Sequence, residues 1–191
     1  FLAGVYPPGM KMIATWFRSA RGLAIGTVVG ALTVGKATPY LLKALGGPSV
    51  TAVVAGASIA GLVAAILIAV GYQDGPYPFP RRAFEWARVA RLFRHRETML
   101  ATGGYLGHMW ELYAMWATVS LFFSEFFLGD AMSPTHSTAV DLSAFAVIAA
   151  GGLGTVVAGR WADAWGREQT TIWMMVISGA CALSIGWLMD A

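Results

Sequence analysis

Long apolar stretches dominate this sequence and limit what it can fold into. A helix needs about 20 residues to cross roughly 30 Å of hydrocarbon. Five stretches are close to or above that length, and a shorter one precedes them. With 57% hydrophobic and 12% charged residues, the chain is far from the soluble average of about 45–50% and about 25%. We therefore predict a membrane protein with spans over Phe1–Phe17, Gly22–Leu45, Val50–Tyr72, Thr98–Leu128, Thr138–Ala158 and Thr171–Met189.

The predicted spans are helical. In lipid, a segment of this length can satisfy its own backbone hydrogen bonds only as a helix, and the sequence lacks the short alternating segments of a membrane β-barrel. The single cysteine, Cys181, lies in an apolar run, which excludes a disulfide framework and a cysteine metal site. We expect an all-α polytopic transmembrane helix bundle, and we assign it no cofactor and no metal.

Basic residues are restricted to every second connection between the spans. The second and fourth connections, "GGPS" and "GDAMSPTHS", contain no lysine or arginine. Positive residues accumulate in cytoplasmic loops, so we predict that the first, third and fifth connections are cytoplasmic. Their arginines are Arg18, Arg21, Arg81, Arg82, Arg88, Arg91, Arg94, Arg96, Arg160 and Arg167.

The third connection is long and divides the chain into residues 1–72 and 98–191, with a linker over 73–97. From Arg82 onward, apolar residues recur at helical spacing between the arginines. This pattern predicts an amphipathic helix at the inner membrane surface, with its arginines towards anionic headgroups. The alternative is an ordinary linker with positive-inside bias. The flanking spans explain the basic cluster better than nucleic-acid binding does. The apolar residues are Trp86, Val89, Ala90 and Phe93.

A charged segment, "AGRWADAWGREQT", separates the last two spans. It contains Gly159, Asp163, Gly166 and Arg167 in the form G-x-x-x-D-x-x-G-R, which resembles the signature loop of the major facilitator superfamily. That loop occurs between helices two and three and between helices eight and nine of twelve. The earlier "WFRSARGLAIG" is similar to the family's junction between helices four and five. We call residues 158–170 the signature segment.

The resemblance implies that this chain covers the end of helix four through helix nine. Residues 1–72 would then end the N-terminal six-helix half, and 98–191 would begin the C-terminal half. About six helices would be missing, and they would belong to the same polypeptide. Ala164 and Glu168 depart from the family's basic pattern in the signature segment.

The family resemblance also implies a role for the signature segment. It places Asp163 near the N-terminus of a neighbouring helix, where a carboxylate is favoured by about 0.3–1 kcal/mol. The contact would form in one conformation and break in the other, so the segment would be a conformational gate. Arg160 and Arg167 are candidate partners of Asp163. The alternative is a solvated turn with positive-inside arginines.

Three ionisable residues inside the spans are candidates for substrate binding or proton coupling, since such residues are expensive in a membrane. His108 and Glu111 are three residues apart and share a helix face. The family resemblance implies that their helix lines the central cavity. Lys36 lies about 21 Å beyond Gly22 along its helix and could anchor an anion or pair with Glu111 or Asp141. Alternatively, His108 bonds within the bundle and Lys36 snorkels to the surface.

Small residues recur at four-residue intervals in three of the spans. This spacing lets helix backbones approach closely. The intervals are Gly22, Gly26 and Gly30; Gly103 and Gly107; and Gly151, Thr155 and Gly159.

The predicted function follows from the resemblance. We expect a secondary active transporter of a small solute, such as a small anion, that works by alternating access in a bacterial inner membrane. We expect it to be a proton symporter. The alternatives are a polyspecific efflux carrier of the same family and, from another class, a membrane channel or scaffold. No Ser/His/Asp arrangement or metal motif stands out in the spans, so an enzyme is not predicted.

Overall fold

The described parts of the chain are mainly helical. A computed structural model describes residues 5–80, 85–86, 91–132 and 137–189. Six helices lie in these ranges: α1 (Tyr6–Ala14), α2 (Arg21–Ala44), α3 (Val50–Gly71), α4 (Arg96–Leu128), α5 (Thr138–Trp165) and α6 (Arg167–Met189). The prediction of an all-α bundle is confirmed.

Local sequence signals explain where several helices begin and end. The Ser49 hydroxyl accepts a hydrogen bond from the backbone N–H of Ala52 and so caps α3. Gly129, with a φ of +66°, ends α4 in the left-handed conformation that glycine adopts without penalty. The bounds of α2, α3 and α4 lie within two residues of the predicted ones.

The structure corrects the predicted end of α5. The helix continues seven residues beyond Ala158 to Trp165, so the signature segment is helical apart from Gly166. Alanine, tryptophan, arginine and aspartate are all compatible with a helix, whereas Gly166 has a φ of +94°. That conformation separates α5 from α6 and makes Arg167 the first residue of α6.

Four helices, α2, α3, α5 and α6, are long and apolar enough to cross a bilayer. The remaining predicted complete span, α4, is the longest at 33 residues but is not among these four. Its interior contains His108 and Glu111 together with tryptophans and tyrosines, which lower its mean hydropathy. No residue of α3 is buried within this chain, as expected of a helix that faces lipid or further helices.

The antiparallel pair of α2 and α5 organises the described fold. Near the end of α2 and the start of α5, the pair meets α4 in a small hydrophobic core. Ala37 and Ala144 are fully buried there, and Tyr40 and Trp116 pack against the core from the side. The buried core residues are Ala37, Val119, Ala144 and Ile148, which lie on α2, α4 and α5.

The first part of the linker is attached to the connection between α1 and α2. Thr15 is buried, and its hydroxyl accepts a hydrogen bond from the Gly75 N–H at 3.0 Å. Its carbonyl accepts another from the Tyr77 N–H at 3.0 Å. A side chain at Gly75 would collide with the Thr15 carbonyl. The linker therefore starts at the end of the bundle where α2 begins.

Three basic connections thus share one end of the bundle, as the charge pattern predicts. The start of the linker contacts Thr15, and the end of α5 contacts the start of α2 through Asp163. We call this the basic end. The amphipathic helix predicted from Arg82 onward falls largely on residues 81–84 and 87–90, outside the described residues.

Candidate functional site

The N-terminus of α2 is capped by a residue of another helix. Ala20 occupies the N-cap position with a φ of +57° and has no side-chain acceptor for the first turn. Asp163 supplies acceptors for two N–H groups of this turn. Its Oδ1 accepts the backbone N–H of Gly22 at 2.8 Å, and its Oδ2 accepts that of Leu23 at 2.8 Å. One carboxylate therefore joins the last turn of α5 to the first turn of α2.

Glycines bring the two helix backbones together at this point. A Cβ on Gly22 would collide with the Gly159 carbonyl, and one on Gly26 would collide with the Thr155 carbonyl. The Thr155 hydroxyl also donates to the Gly26 carbonyl at 3.1 Å. Without this close approach, the Asp163 carboxylate could not reach backbone N–H groups on α2.

The glycine pattern is confirmed for α2 and differs in detail elsewhere. On α5, Gly152 faces Gly30, and a Cβ added to Gly30 would lie 2.6 Å from the Gly152 carbonyl oxygen. The expected residue, Gly151, lies beside Thr33 instead. Within the described residues, nothing lies within 4 Å of a Cβ placed on Gly103 or Gly107. Among the described helices, the close approach at glycines is therefore found in the α2–α5 pair.

The structure places Asp163 at a helix N-terminus, as the family resemblance implies, but it does not give Asp163 the expected arginine partners. Among the residues that the structure describes, neither Arg160 nor Arg167 forms an ion pair with Asp163. The reason is that the carboxylate is already directed at α2 by two backbone bonds. Arg167 begins α6 on the far side of Gly166.

Comparison with known proteins decides the family. A sequence model described as Major Facilitator Superfamily matches residues 1–191, the whole of the chain. The chain belongs to the major facilitator superfamily. It is therefore part of a multi-pass membrane transporter. No curated protein and no solved structure matches it.

The major facilitator chain holds Lys36 of α2 against the aromatic face of α4. The Lys36 Nζ lies 5.1 Å from the ring centroid of Trp116 and 6.0 Å from that of Tyr113. These rings are nearly perpendicular, at 87°, so the ammonium lies in a corner between them. Tyr40, one turn further along α2, donates its hydroxyl to the Trp116 carbonyl at 3.4 Å. Cation–π contacts of this kind hold an ammonium in place and leave its charge intact.

Glu111 lies in a second polar cluster, between α4 and α6. The Ser178 hydroxyl donates to Glu111 Oε1, and His108 Nδ1 lies 3.8 Å from Oε2. The latter distance is an ion-pair separation and is too long for a hydrogen bond. The sequence did not single out Ser178, although a serine in an apolar helix opposite a carboxylate is the signal that could have identified it.

The structure corrects the proposed pairing of Lys36. At 100° of rotation per residue, Tyr113 and Trp116 lie about 140–160° around α4 from Glu111. Lys36 therefore packs against the face of α4 opposite the one that carries Glu111. Among the ion pairs of the described residues, Asp141 is joined to Lys43 and not to Lys36. Its Oδ1 lies 3.2 Å from the Nζ of Lys43, two turns beyond Lys36 along α2.

The acidic and basic residues of this site form no metal centre in the part of the chain that the structure describes. No group of three or more histidine, cysteine, aspartate or glutamate side chains there could hold a metal ion. The two clusters thus present an ammonium group at Lys36 and a carboxylate beside an imidazole at Glu111 and His108.

Proposed function

We propose that this chain belongs to a secondary active transporter of a small anion that works by alternating access, with α2 and α5 as helices that separate and rejoin. The observation that carries the proposal is the pair of hydrogen bonds from Gly22 and Leu23 to Asp163. They connect the two segments, 1–72 and 98–191, that we assign to different halves of the transporter. The signature segment would then act as a gate.

The strength of this contact suits a gate. Removing a side-chain cap from a helix N-terminus costs about 0.5–2 kcal/mol. Asp163 is exposed, so water can replace it at the N–H groups when the helices part. A contact of this strength is broken or restored by a modest change of interactions elsewhere, as alternating access between two states requires.

Lys36 supports an anion as the substrate. Its ammonium is oriented by Trp116 and Tyr113, whose rings cannot neutralise it. Its side chain is exposed in this chain, so it is open to a ligand. We therefore assign Lys36 as the anion anchor.

The cluster of Glu111, His108 and Ser178 supports proton coupling. Glu111 is a carboxylate within a long helix, and the Ser178 hydroxyl donates to it. His108 Nδ1 lies 3.8 Å from Glu111 Oε2, close enough to exchange a proton with it through one water. We assign this cluster to proton symport across a bacterial inner membrane.

Anion binding can be tested in liposomes that contain the full-length transporter. We expect saturable uptake and counterflow of a small anion from a panel of inorganic anions and short carboxylates. Loss of a charged hydrogen bond costs about 1.5–3 kcal/mol, so Lys36→Gln should raise the KM about tenfold or more, and Lys36→Arg should restore part of the affinity. Lys11→Gln is the matched control, because Lys11 Nζ lies over Phe79 at the basic end.

Three outcomes would overturn this assignment. One is an equal change of KM in the Lys36 and Lys11 variants. Another is preference for organic cations over every anion in the panel, which would favour polyspecific efflux. The third is conduction without saturation, which would indicate a channel.

Proton coupling has its own test in the same liposomes. Glu111→Gln should abolish uptake driven by a pH gradient and preserve counterflow, because counterflow needs no net proton movement. Glu125→Gln is the control, since Glu125 lies at the other end of α4 and accepts the N–H of Ala131. Unchanged pH-driven uptake in Glu111→Gln would remove the coupling role.

A further inference from the structure

The contact between α2 and α5 has a second polar end. Lys43 lies in the last turn of α2, and Asp141 lies in the first turn of α5. Lys43 Nζ is 3.2 Å from Asp141 Oδ1. The Asp141 side chain is only 1% exposed, whereas that of Lys43 is 59% exposed. One partner is thus held inside the helix contact, and the other reaches it from the surface.

Both residues suit the helix ends that they occupy. A carboxylate is favoured near a helix N-terminus, and an ammonium near a C-terminus. Asp141 is one turn from the fully buried Ala144, where an ionised carboxylate needs an opposite charge. The Lys43 ammonium supplies that charge across the helix contact, so the pair links α2 to α5 directly.

The pair lies at the opposite end of the α2–α5 contact from Asp163. Between the two polar ends, Gly26 meets Thr155 and Ala37 packs in the core with Ala144. In this structure the two helices are joined at both ends at once. An alternating-access protein must be able to open either end while the other stays closed, so each end needs a contact that can be broken separately.

We propose that Lys43 and Asp141 form an external clasp, which holds the end of the transporter opposite the basic end closed and parts when that end opens. The exposed Lys43 ammonium remains hydrated when the clasp opens, and the opened space admits water to Asp141. The clasp involves positioning residues only. It rests on the alternating access proposed above, but it requires neither residue to touch substrate and does not depend on the assignment of Lys36 or Glu111.

The clasp can be tested without knowledge of the substrate, in the full-length transporter with Cys181→Ser. Ala37→Cys is the external reporter, because Ala37 is fully buried in the core at that end of the helix contact. Thr155→Cys is the basic-end reporter, because Thr155 contacts Gly26 in the other half. The rate of reaction with a membrane-impermeant maleimide is measured for each reporter from each side of oriented vesicles.

The clasp predicts opposite changes at the two reporters. Lys43→Met and Asp141→Asn should each raise labelling of the external reporter at least fivefold and lower labelling of the basic-end reporter from the other side. The charge exchange, Lys43→Asp with Asp141→Lys, should return both rates towards those of the parent. Asp130→Asn is the matched control, because Asp130 is outside the helix contact and accepts the N–H of Met132.

Other results would overturn the clasp. Unchanged labelling of the external reporter in both single variants would show that the pair does not restrain the external end. Increased labelling at both reporters would show general loosening of the helix packing. If a single variant does not reach the membrane, Lys43→Gln and the charge exchange are compared directly, and failure of the exchange to restore slow labelling counts against the proposal.

Discussion

The contact between α2 and α5 and the polar clusters around α4 are built in different ways. The first depends on backbone atoms, because carbonyls on α5 meet glycines on α2 and Asp163 accepts two backbone N–H groups. The second depends on side chains, with Lys36 between two rings and Glu111 beside Ser178. Substitutions in the first region should therefore change which conformations form, and substitutions in the second should change what is bound.

The largest expected effect tests the backbone contact. Gly26→Ala places a methyl group against the Thr155 carbonyl, and overpacking of this kind costs about 1–3 kcal/mol. Gly35→Ala on the same helix meets nothing within 4 Å in the described chain and should stabilise α2 by up to about 1 kcal/mol. Thermal unfolding in detergent should therefore show a lower Tm for Gly26→Ala and an equal or higher Tm for Gly35→Ala.

Equal Tm values for these two variants would contradict the close helix contact. Transport activity should also be lower in Gly26→Ala than in Gly35→Ala, since the added methyl group in Gly26→Ala holds the helices apart. Full activity of Gly26→Ala would show that the carrier works without this contact.

A smaller effect is expected from the cap. Asp163→Asn removes the charge and one of two acceptors for the first turn of α2. Loss of about 0.5–2 kcal/mol should shift the balance towards the form that is open at the basic end by about twofold to thirtyfold. Labelling of the basic-end reporter, Thr155→Cys, from the basic side measures that balance. Glu168→Gln, two residues beyond Gly166 on α6, is the control for removing a negative charge at the same end.

The gate role of Asp163 would be contradicted by equal labelling of the basic-end reporter in Asp163→Asn, Glu168→Gln and the parent protein. That result would favour the simpler interpretation, in which the segment is a solvated turn.

The smallest effect concerns the residue before α2. Ala20 has a φ of +57°, a conformation that costs a residue with a Cβ about 1–2 kcal/mol. Ala20→Gly removes this strain from the folded state, but it also stabilises the unfolded chain by about 0.4–1 kcal/mol, because glycine has more conformational freedom there. The Tm should therefore stay level or rise slightly. Ala31 is exposed and lies in the middle of α2. Ala31→Gly should lower the Tm, because glycine in the middle of a helix costs about 0.5–1 kcal/mol relative to alanine. Equal losses in both variants would exclude a strained Ala20.

The sequence predicted the helices better than it predicted their partners. Hydropathy and length placed the bounds of α2 and α3 to within one residue, because hydrocarbon thickness sets the span length. Hydropathy also placed the end of α5 seven residues too early, since it measures transfer into lipid and not the ability of the charged segment to remain helical. The placement of Asp163 at a helix N-terminus could be predicted only from the family resemblance.

Side-chain partners across helices were not predictable from spacing alone. Spacing correctly put His108 and Glu111 on one face, but it did not reveal that this face meets Ser178 while Lys36 meets the other. One residue of rotation, about 100°, also decides that Gly152 and not Gly151 faces α2. Such choices depend on how each helix is rotated against its neighbours.

The central claim is that α2 and α5 separate and rejoin at the basic end. It is tested most directly by spin labels at Ser19 and Glu168, which are both exposed near this contact, and by their distance distribution in the full-length transporter. We predict two distance populations, with Asp163→Asn depleting the shorter one. A single distance that is the same in the parent and in Asp163→Asn would contradict the account.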